Sequence, residues 1–208
     1  MKYILFLCLC LYFVNCNPVS KSTQVAENQS ILKIAYSVFY DKEADDYEVF
    51  IMDLDGSNPK NISNWEGVDW ADYSYKNKIY FISDRDTTHR FYFLWEMDGN
   101  GENLRKVSDI RLADSRYSSR KNNSEFVVRP HKTVDSVFYI INSEGILIQK
   151  ADSGLPAQSD PYFSPDGNQI VFRGGTKRSK REEGYTEELF VMNSERSNLT
   201  QITQYPEQ

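Results

Sequence analysis

The sequence is poor in cysteine and histidine. Its 208 residues include three cysteines, all within the first sixteen positions, and two histidines, His89 and His131. Cysteines placed so close together cannot crosslink a domain formed by the rest of the chain, so stability must come from a hydrophobic core. Two isolated histidines do not make the ligand cluster of a metal-dependent enzyme. We therefore expect no metal and no cofactor.

An excess of basic charge and the common catalytic motifs are also lacking. Lys and Arg number 24 against 30 Asp and Glu, which gives a net charge of −6. An acidic chain is poorly suited to phosphate backbones, so we expect no nucleic acid partner. The sequence contains neither a Gly-x-Ser-x-Gly elbow nor a phosphate-binding glycine loop ending in Lys-Ser/Thr. It predicts a protein that is not an enzyme and has no catalytic residues.

Apolar runs of membrane-spanning length are missing as well. The uncharged stretch Tyr3–Val14 is shorter than the roughly 20 residues that a transmembrane helix requires. It has the character of a signal peptide, which we predict for residues 1–15. Cys16 follows this stretch and resembles the cysteine of a bacterial lipobox, where a lipid is attached. An ordinary signal peptide is the alternative. Residues 16–30 are polar and are predicted to form a tether.

Beyond the tether, the sequence repeats with a period of about 45 residues. Lys33-Ile34-Ala35-Tyr36 recurs 45 residues later as Lys78-Ile79-Tyr80-Phe81 and again as Gln169-Ile170-Val171-Phe172. A second signature, an apolar run ending in a turn, relates Phe50–Gly56 to Phe93–Gly99 at an offset of 43 residues. Such periodicity indicates an array of similar structural units.

A third signature consists of an aspartate, two or three residues, an aromatic residue and a serine. It begins at Asp69, Asp114 and Asp160, spaced 45 and 46 residues apart. Their regular spacing makes these aspartates candidate site residues.

Within each unit, short runs of aromatic and β-branched residues alternate with Asp-Gly and Ser-Pro-Asp-Gly clusters, which predicts strands joined by hairpins. Units of this length with four antiparallel strands are typical of propeller blades. We predict an all-β fold for residues 31–208, a β-propeller of about four antiparallel four-stranded blades in a small or incomplete ring. The predicted blades are 31–64, 65–109, 110–153 and 154–204. The first lacks a clear innermost strand. We favour one compact ring of four blades over a fragment of a six-bladed ring or a ring completed by a second chain.

The segment Asp160–Phe172 resembles the repeat of TolB-type β-propellers, a WD40-like propeller family. Phe81–Asp86 and Met52–Asn58 match later positions of the same repeat. The resemblance covers about residues 31–204 and implies the blade fold. It does not imply one function, because such blades occur in binding proteins and in propellers attached to peptidases.

The resemblance also suggests where a ligand would bind. In this family the segment before the aromatic-serine pair leads into the innermost strand, beside the central channel. This implies that Asp69, Asp114 and Asp160 ring one mouth of the channel, where they would bind a cation or a basic partner. Local hydrogen bonds to the backbone are the alternative role for these aspartates. Trp70 and Tyr162 complete our set of candidate ligand-binding residues.

These observations favour a non-enzymatic envelope lipoprotein that presents a TolB-like propeller to a protein, peptide or glycan partner. The expected location is the bacterial cell envelope, either facing the periplasm or on the outer-membrane surface, with contact to the membrane through the lipid on Cys16. Oligomerisation is left open. The alternatives are a propeller-based hydrolase or lyase and a remnant of a larger propeller protein.

Lipidation of Cys16 can be tested directly. The Cys16→Ala variant is expected to lose incorporation of a fatty-acid probe in a bacterial host, because the acylated cysteine is the attachment point. Cys10→Ala serves as the matched control and is expected to keep the label. Undiminished labelling of Cys16→Ala, measured by gel fluorescence, would contradict the prediction.

Overall fold

The computed structural model describes residues 32–178, 185–195 and 198–204. The predicted signal peptide, the tether and Cys16 lie outside the described residues. The described ranges contain fifteen strands and no helix that could span a membrane. The strands are Lys33–Asp41 (β1), Asp46–Asp53 (β2), Lys60–Asn61 (β3), Asp69–Tyr75 (β4), Lys78–Ser83 (β5), Phe93–Asp98 (β6), Arg105–Lys106 (β7), Ser118–Arg120 (β8), Glu125–Val128 (β9), Phe138–Asn142 (β10), Leu147–Ala151 (β11), Ala157–Phe163 (β12), Gln169–Arg178 (β13), Tyr185–Asn193 (β14) and Thr200–Gln201 (β15).

The strands form four antiparallel sheets in chain order. Sheet 1 contains β1–β3, sheet 2 contains β4–β7, sheet 3 contains β8–β11 and sheet 4 contains β12–β15. Each strand pairs with its sequence neighbour, as a meander of short hairpins requires. The predicted all-β fold of about four propeller blades is confirmed. Sheet 1 has three strands in the described region and no counterpart of β4, as the sequence indicated.

The same two cross-strand pairs recur in three sheets, which explains the repeat in the sequence. One pair joins Ile to Met and the other joins two aromatic residues, so that one face of each sheet carries a similar apolar surface. The pairs are Ile34–Met52 and Tyr36–Phe50 in sheet 1, Ile79–Met97 and Phe81–Trp95 in sheet 2, and Ile170–Met192 and Phe172–Phe190 in sheet 4. Sheet 3 has Phe126–Ile141 and Val128–Tyr139 at these places.

The strand register corrects one sequence match. Asp53 and Asp98 hold equivalent places, 45 residues apart, and each accepts a backbone hydrogen bond from a glycine three residues later. Those glycines, Gly56 and Gly101, have φ values of 85° and 89°. The offset of 43 residues, which paired Gly56 with Gly99, is therefore wrong by two residues. An Asp-Gly pair signals a turn, but it does not reveal which residue of the turn adopts the left-handed conformation.

Three hydrophobic clusters stack the sheets in sequence. Val49 of sheet 1 and Ile62, which follows that sheet, pack with Phe81 of sheet 2, and further clusters join sheet 2 to sheet 3 and sheet 3 to sheet 4. Within the described residues, none of these clusters contains residues of both sheet 1 and sheet 4. In the described part of the chain, the sheets therefore form an open arc. This is the incomplete-ring form of the predicted fold, and it differs from the closed ring that we favoured.

The turns after the third strand position show the same open arrangement. A Cβ on Gly101 of sheet 2 would lie 2.6 Å from the carbonyl oxygen of Ile62 in sheet 1. A Cβ on Gly145 of sheet 3 would overlap the carbonyl oxygen of Val107, which follows sheet 2. At Gly56 of sheet 1, a Cβ would meet nothing within 4 Å. Each turn thus rests on the preceding sheet, and the turn of sheet 1 has no such neighbour among the described residues.

Alanine substitutions at two equivalent glycines test this stacking. Gly56→Ala is expected to destabilise the fold by about 1 kcal/mol, the cost of a left-handed backbone for a residue with a Cβ. Gly101→Ala carries the same cost and adds a clash with Ile62, for a total of about 3 kcal/mol. Chemical denaturation at submicromolar chain concentration measures both, with Gly56→Ala as the matched control. Equal losses of stability would contradict the packing of the Gly101 turn on sheet 1.

Candidate functional site

The first strands of sheets 2, 3 and 4 converge at one edge of the arc. The hydroxyl of Ser119 in β8 donates to the hydroxyl of Tyr73 in β4 at 2.6 Å. The backbone N–H of Phe163 in β12 donates to the hydroxyl of Ser118 at 2.7 Å. We call this edge, formed by β4, β8, β12 and the loops leading into them, the inner rim. Side chains from three sheets meet there, which makes it the candidate functional site.

Asp69 does not belong to the exposed part of the inner rim. Its side chain is fully buried and pairs with Arg85 at 2.6 Å. The same Arg85 nitrogen donates to the backbone carbonyl of Ser63 in the loop after sheet 1, and the guanidinium stacks on Trp65. Burial raises the pKa of Asp69, and Arg85 opposes that rise. Asp69 therefore joins sheets 1 and 2, because an additional residue between it and the aromatic residue turns it inward.

Asp160 and Asp114 lie on the inner rim among positive charges. Asp160 pairs with Arg173 at 2.7 Å, and its other oxygen accepts the backbone N–H of Arg116 at 3.0 Å. Asp114 is exposed and lies 4.0 Å from Arg90. Tyr162 lies two residues after Asp160 and is 42% exposed. The structure thus places two of the three predicted carboxylates, Asp114 and Asp160, beside arginines on the rim, and their ligand-binding role stays a prediction.

Trp70 extends the inner rim toward sheet 1. Its ring lies edge-on to Tyr47, with ring centroids 5.1 Å apart, and the guanidinium of Arg90 stacks on it at 5.5 Å. Arg90 also forms a two-pronged ion pair with Asp45, at 2.7 and 2.8 Å. The hydrogen bonds from Arg90 and then His89 lower the pKa of Asp45 to about 2. Trp70 is half-buried, so part of its ring remains available on the rim.

The ion pair of Asp72 with Arg116 is the part of the rim that sequence reasoning missed. Asp72 occupies a bulge in β4, where the pairing register shifts between Ala71 and Tyr73. Its side chain is 4% exposed and pairs with Arg116 of the loop before β8. Burial raises the pKa of Asp72, and the charge of Arg116 partly offsets that effect. The two residues are 44 apart, close to the repeat period, which was the available signal.

Arg129 is a second missed residue of the rim. It is half-buried directly after β9, and its backbone carbonyl accepts the N–H of Ala113 at 3.0 Å, next to Asp114. Among the described residues, its guanidinium has neither a hydrogen bond nor an ion pair. Burial lowers the pKa of Arg129, while the surrounding carboxylates, first that of Asp160, act against that shift. It is a positive group held in place without a bound counter-charge.

Other features singled out in the sequence lie elsewhere. Trp95 is 7% exposed and belongs to the core between sheets 1 and 2. His89 contacts Asp45 at 2.8 Å, whereas His131 contacts Thr133, so the two histidines do not meet. In the part of the chain that the structure describes, no group of His, Cys, Asp and Glu is arranged to hold a metal ion.

The stacked antiparallel sheets, with their first strands gathered at one edge, define a β-propeller architecture. Neither a protein-family description nor a curated protein matches the chain. Its fold is similar to that of TolB from Acinetobacter baumannii, with a TM-score of 0.64 and 14% identity over 82% of this chain and 40% of that one. A TolB-type protein from Agrobacterium tumefaciens gives a TM-score of 0.61 and 11% identity over 81% and 60% of the two chains.

The β-propeller domain of the Trilobed protease from Pyrococcus furiosus is also similar, with a TM-score of 0.51 and 13% identity over 83% of this chain and 53% of that one. At these identities the likeness establishes the fold, that of TolB-like propellers. The chain spans 40% to 60% of the length of these three structures.

Removal of Arg116 tests the electrostatics of the rim. Arg116→Ala leaves the buried carboxylate of Asp72 without its counter-charge and is expected to cost about 2 kcal/mol at pH 7. Because burial raises the folded-state pKa of Asp72 above its unfolded value, and loss of Arg116 removes the charge that opposes this rise, the penalty should shrink as the pH falls and the carboxyl becomes protonated. Chemical denaturation at several pH values measures this dependence.

Arg105→Ala provides the matched control for that experiment. Arg105 pairs with the buried Glu96, but Glu96 keeps a second partner, Lys78, at 2.6 Å. We expect a loss below about 1 kcal/mol for this variant. A penalty for Arg116→Ala that is independent of pH would contradict the assigned role of Asp72.

Proposed function

We propose that the chain is a binding module that uses its inner rim to hold a protein or peptide partner through an acidic group. The observation that carries this proposal is Arg129, a half-buried guanidinium without an ion pair in the described region. The neighbouring arginines of the rim are already engaged, Arg116 by Asp72 and Arg173 by Asp160. Arg129 is therefore the rim cation that is free to receive a carboxylate from outside.

The chemistry of Arg129 suits this task. A guanidinium binds a carboxylate through two parallel hydrogen bonds, and such charge-assisted bonds are about twice as strong as neutral ones. Partial burial strengthens the interaction and reduces the entropy lost on binding, because the side chain is already confined. Asp114 and Asp160 beside it favour a partner that carries basic groups next to its acidic one.

The exposed aromatic surface of the rim supports a peptide as the ligand. Trp70 is half-buried and Tyr162 is 42% exposed, so both rings offer flat apolar area on the rim. Aromatic residues of this kind contribute much of the binding energy at protein interfaces. The sequence also left a glycan open as the partner, and a glycan would stack on these same rings.

The same proposal includes a non-enzymatic role and an envelope location. The carboxylates Asp72 and Asp160 are tied to arginines, so they are poorly placed to exchange protons with a substrate. The envelope location and the lipid anchor rest on residues 1–16 of the sequence and on the labelling experiment for Cys16.

A capture experiment tests the role of Arg129. The full chain is immobilised and exposed to envelope extract, and the retained proteins are identified by mass spectrometry. The partner held by the wild type is expected to fall at least about 10-fold with Arg129→Ala, because loss of a buried charge-assisted contact costs more than about 1.4 kcal/mol. Lys132→Ala, a nearby exposed cation, is the matched control and is expected to retain the partner.

Two results would contradict the proposal. Equal capture by the wild type and Arg129→Ala would mean that the rim is not the binding surface. Absence of any partner, together with turnover of a peptide or polysaccharide panel by the wild type, would favour the hydrolase or lyase alternative.

A further inference from the structure

The outer face of sheet 1 carries core residues that no described residue covers. Its members, which we call the leading face, are Ile34, Tyr36, Phe50 and Met52, and all four are only half-buried. The equivalent residues of sheet 2 are buried against sheet 1, with Phe81 0% and Met97 1% exposed. In sheet 4, Phe172 and Met192 are each 1% exposed against sheet 3. The leading face thus has the composition of a blade interface but lacks the neighbouring blade.

The opposite end of the arc has a matching face that no described residue covers. Its apolar members, which we call the trailing face, are Val171, Leu189 and Val191 of sheet 4. Leu189 is 39% exposed, whereas its equivalents Val49, Leu94 and Phe138 in the other three sheets are each 0% exposed. Arg173 lies on the same face, but its charge is neutralised by Asp160 and Glu187. The guanidinium of Arg173 therefore keeps its partners when the trailing face is buried, and the side chain of Glu187 is 40% exposed.

The turns at the two ends of the arc are complementary in the same way as the two faces. Ile62 and Val107 are 5% and 4% exposed, because the Gly101 and Gly145 turns of the following sheets rest on them. Ile202 occupies the same place after sheet 4 and is 55% exposed. A Cβ on Gly56, in the equivalent turn of sheet 1, would meet nothing within 4 Å. At one end of the arc, Ile202 has no described turn packed on it. At the other end, the Gly56 turn has no described residue to pack on.

We propose that a second copy of this chain covers both ends. The trailing face of each copy packs on the leading face of the other, and the Gly56 turn of one copy rests on Ile202 of the other. Two four-sheet arcs then form one ring of eight sheets, which lies within the range of four to eight blades that propellers adopt. The interface is head-to-tail, and a head-to-tail contact is satisfied completely only when it closes into a ring.

The internal repeat favours a second copy of this chain as the partner that covers the leading and trailing faces. The contacts required between copies are those already present three times inside one chain, from sheet 1 to 2, 2 to 3 and 3 to 4. The chain supplies both halves of a fourth such contact but holds them at opposite ends. Pairing two copies buries all four uncovered faces and leaves no apolar end exposed, whereas a single copy leaves two.

Aspartate substitutions on the two faces test the proposal. The full chain in mild detergent is analysed by sedimentation and light scattering at micromolar chain concentration. The wild type is expected at twice the chain mass. Met52→Asp and Leu189→Asp are each expected to weaken self-association at least about 100-fold, because each places a charge in both copies of the interface. Val134→Asp, at a site of 46% exposure on a loop of sheet 3, is the matched control and is expected to stay dimeric.

Mixing the two variants distinguishes this interface from others. A Leu189→Asp chain keeps its leading face and a Met52→Asp chain keeps its trailing face, so the mixture regains one intact contact and is expected to form dimers again. Recovery also demonstrates that both variants are folded. A wild type of single-chain mass would overturn the proposal and favour residues 1–31 or another protein as the cover. Dimers that survive Leu189→Asp, or a mixture that stays monomeric, would also overturn it.

Discussion

The structure depends on the need to cover both faces of each antiparallel sheet. The middle strands of these sheets carry apolar residues on both faces. Phe81 and Ile82 of β5, which point to opposite faces, are 0% and 1% exposed. A single sheet of this kind cannot bury both faces by itself, and a neighbour is required on each side. Stacking along the chain satisfies this need for sheets 2 and 3, while sheets 1 and 4 each keep one face that no described residue covers.

The inner rim is a consequence of this stacking. Because every blade begins at the same edge, the first strands of successive sheets converge and bring residues from distant parts of the sequence into contact. Charges meet there in pairs that cross from sheet to sheet, such as Asp72 with Arg116. These pairs order the rim and leave Arg129, within the described residues, as a rim cation without an ion pair of its own. The site is therefore built from rigid strands and short loops, which suits recognition of a partner without rearrangement.

The fold was predictable from the sequence because its signals are local. Alternating apolar residues and turn dipeptides identify strands, and a 45-residue period identifies blades. The curvature of the arc was not predictable, since it depends on how wide each sheet is and how neighbouring faces fit together. The rim was predictable in part. Asp114, Asp160, Tyr162 and Trp70 lie on it, whereas Asp69 turned inward because its spacing to the aromatic residue is longer by one. Arg129 carries no pattern that would single it out.

Hydrogen exchange resolved by strand is the most direct measurement of the dependence of each sheet on its neighbours. Amides of β5, β6, β9 and β10, in the two sheets covered on both faces, should exchange slowest at every chain concentration. Amides of β1 and β14 should exchange faster in dilute solution and approach the protected strands only as the concentration rises. Equal protection of all four sheets in dilute solution would contradict the account, because something within the same chain would then have to cover both ends.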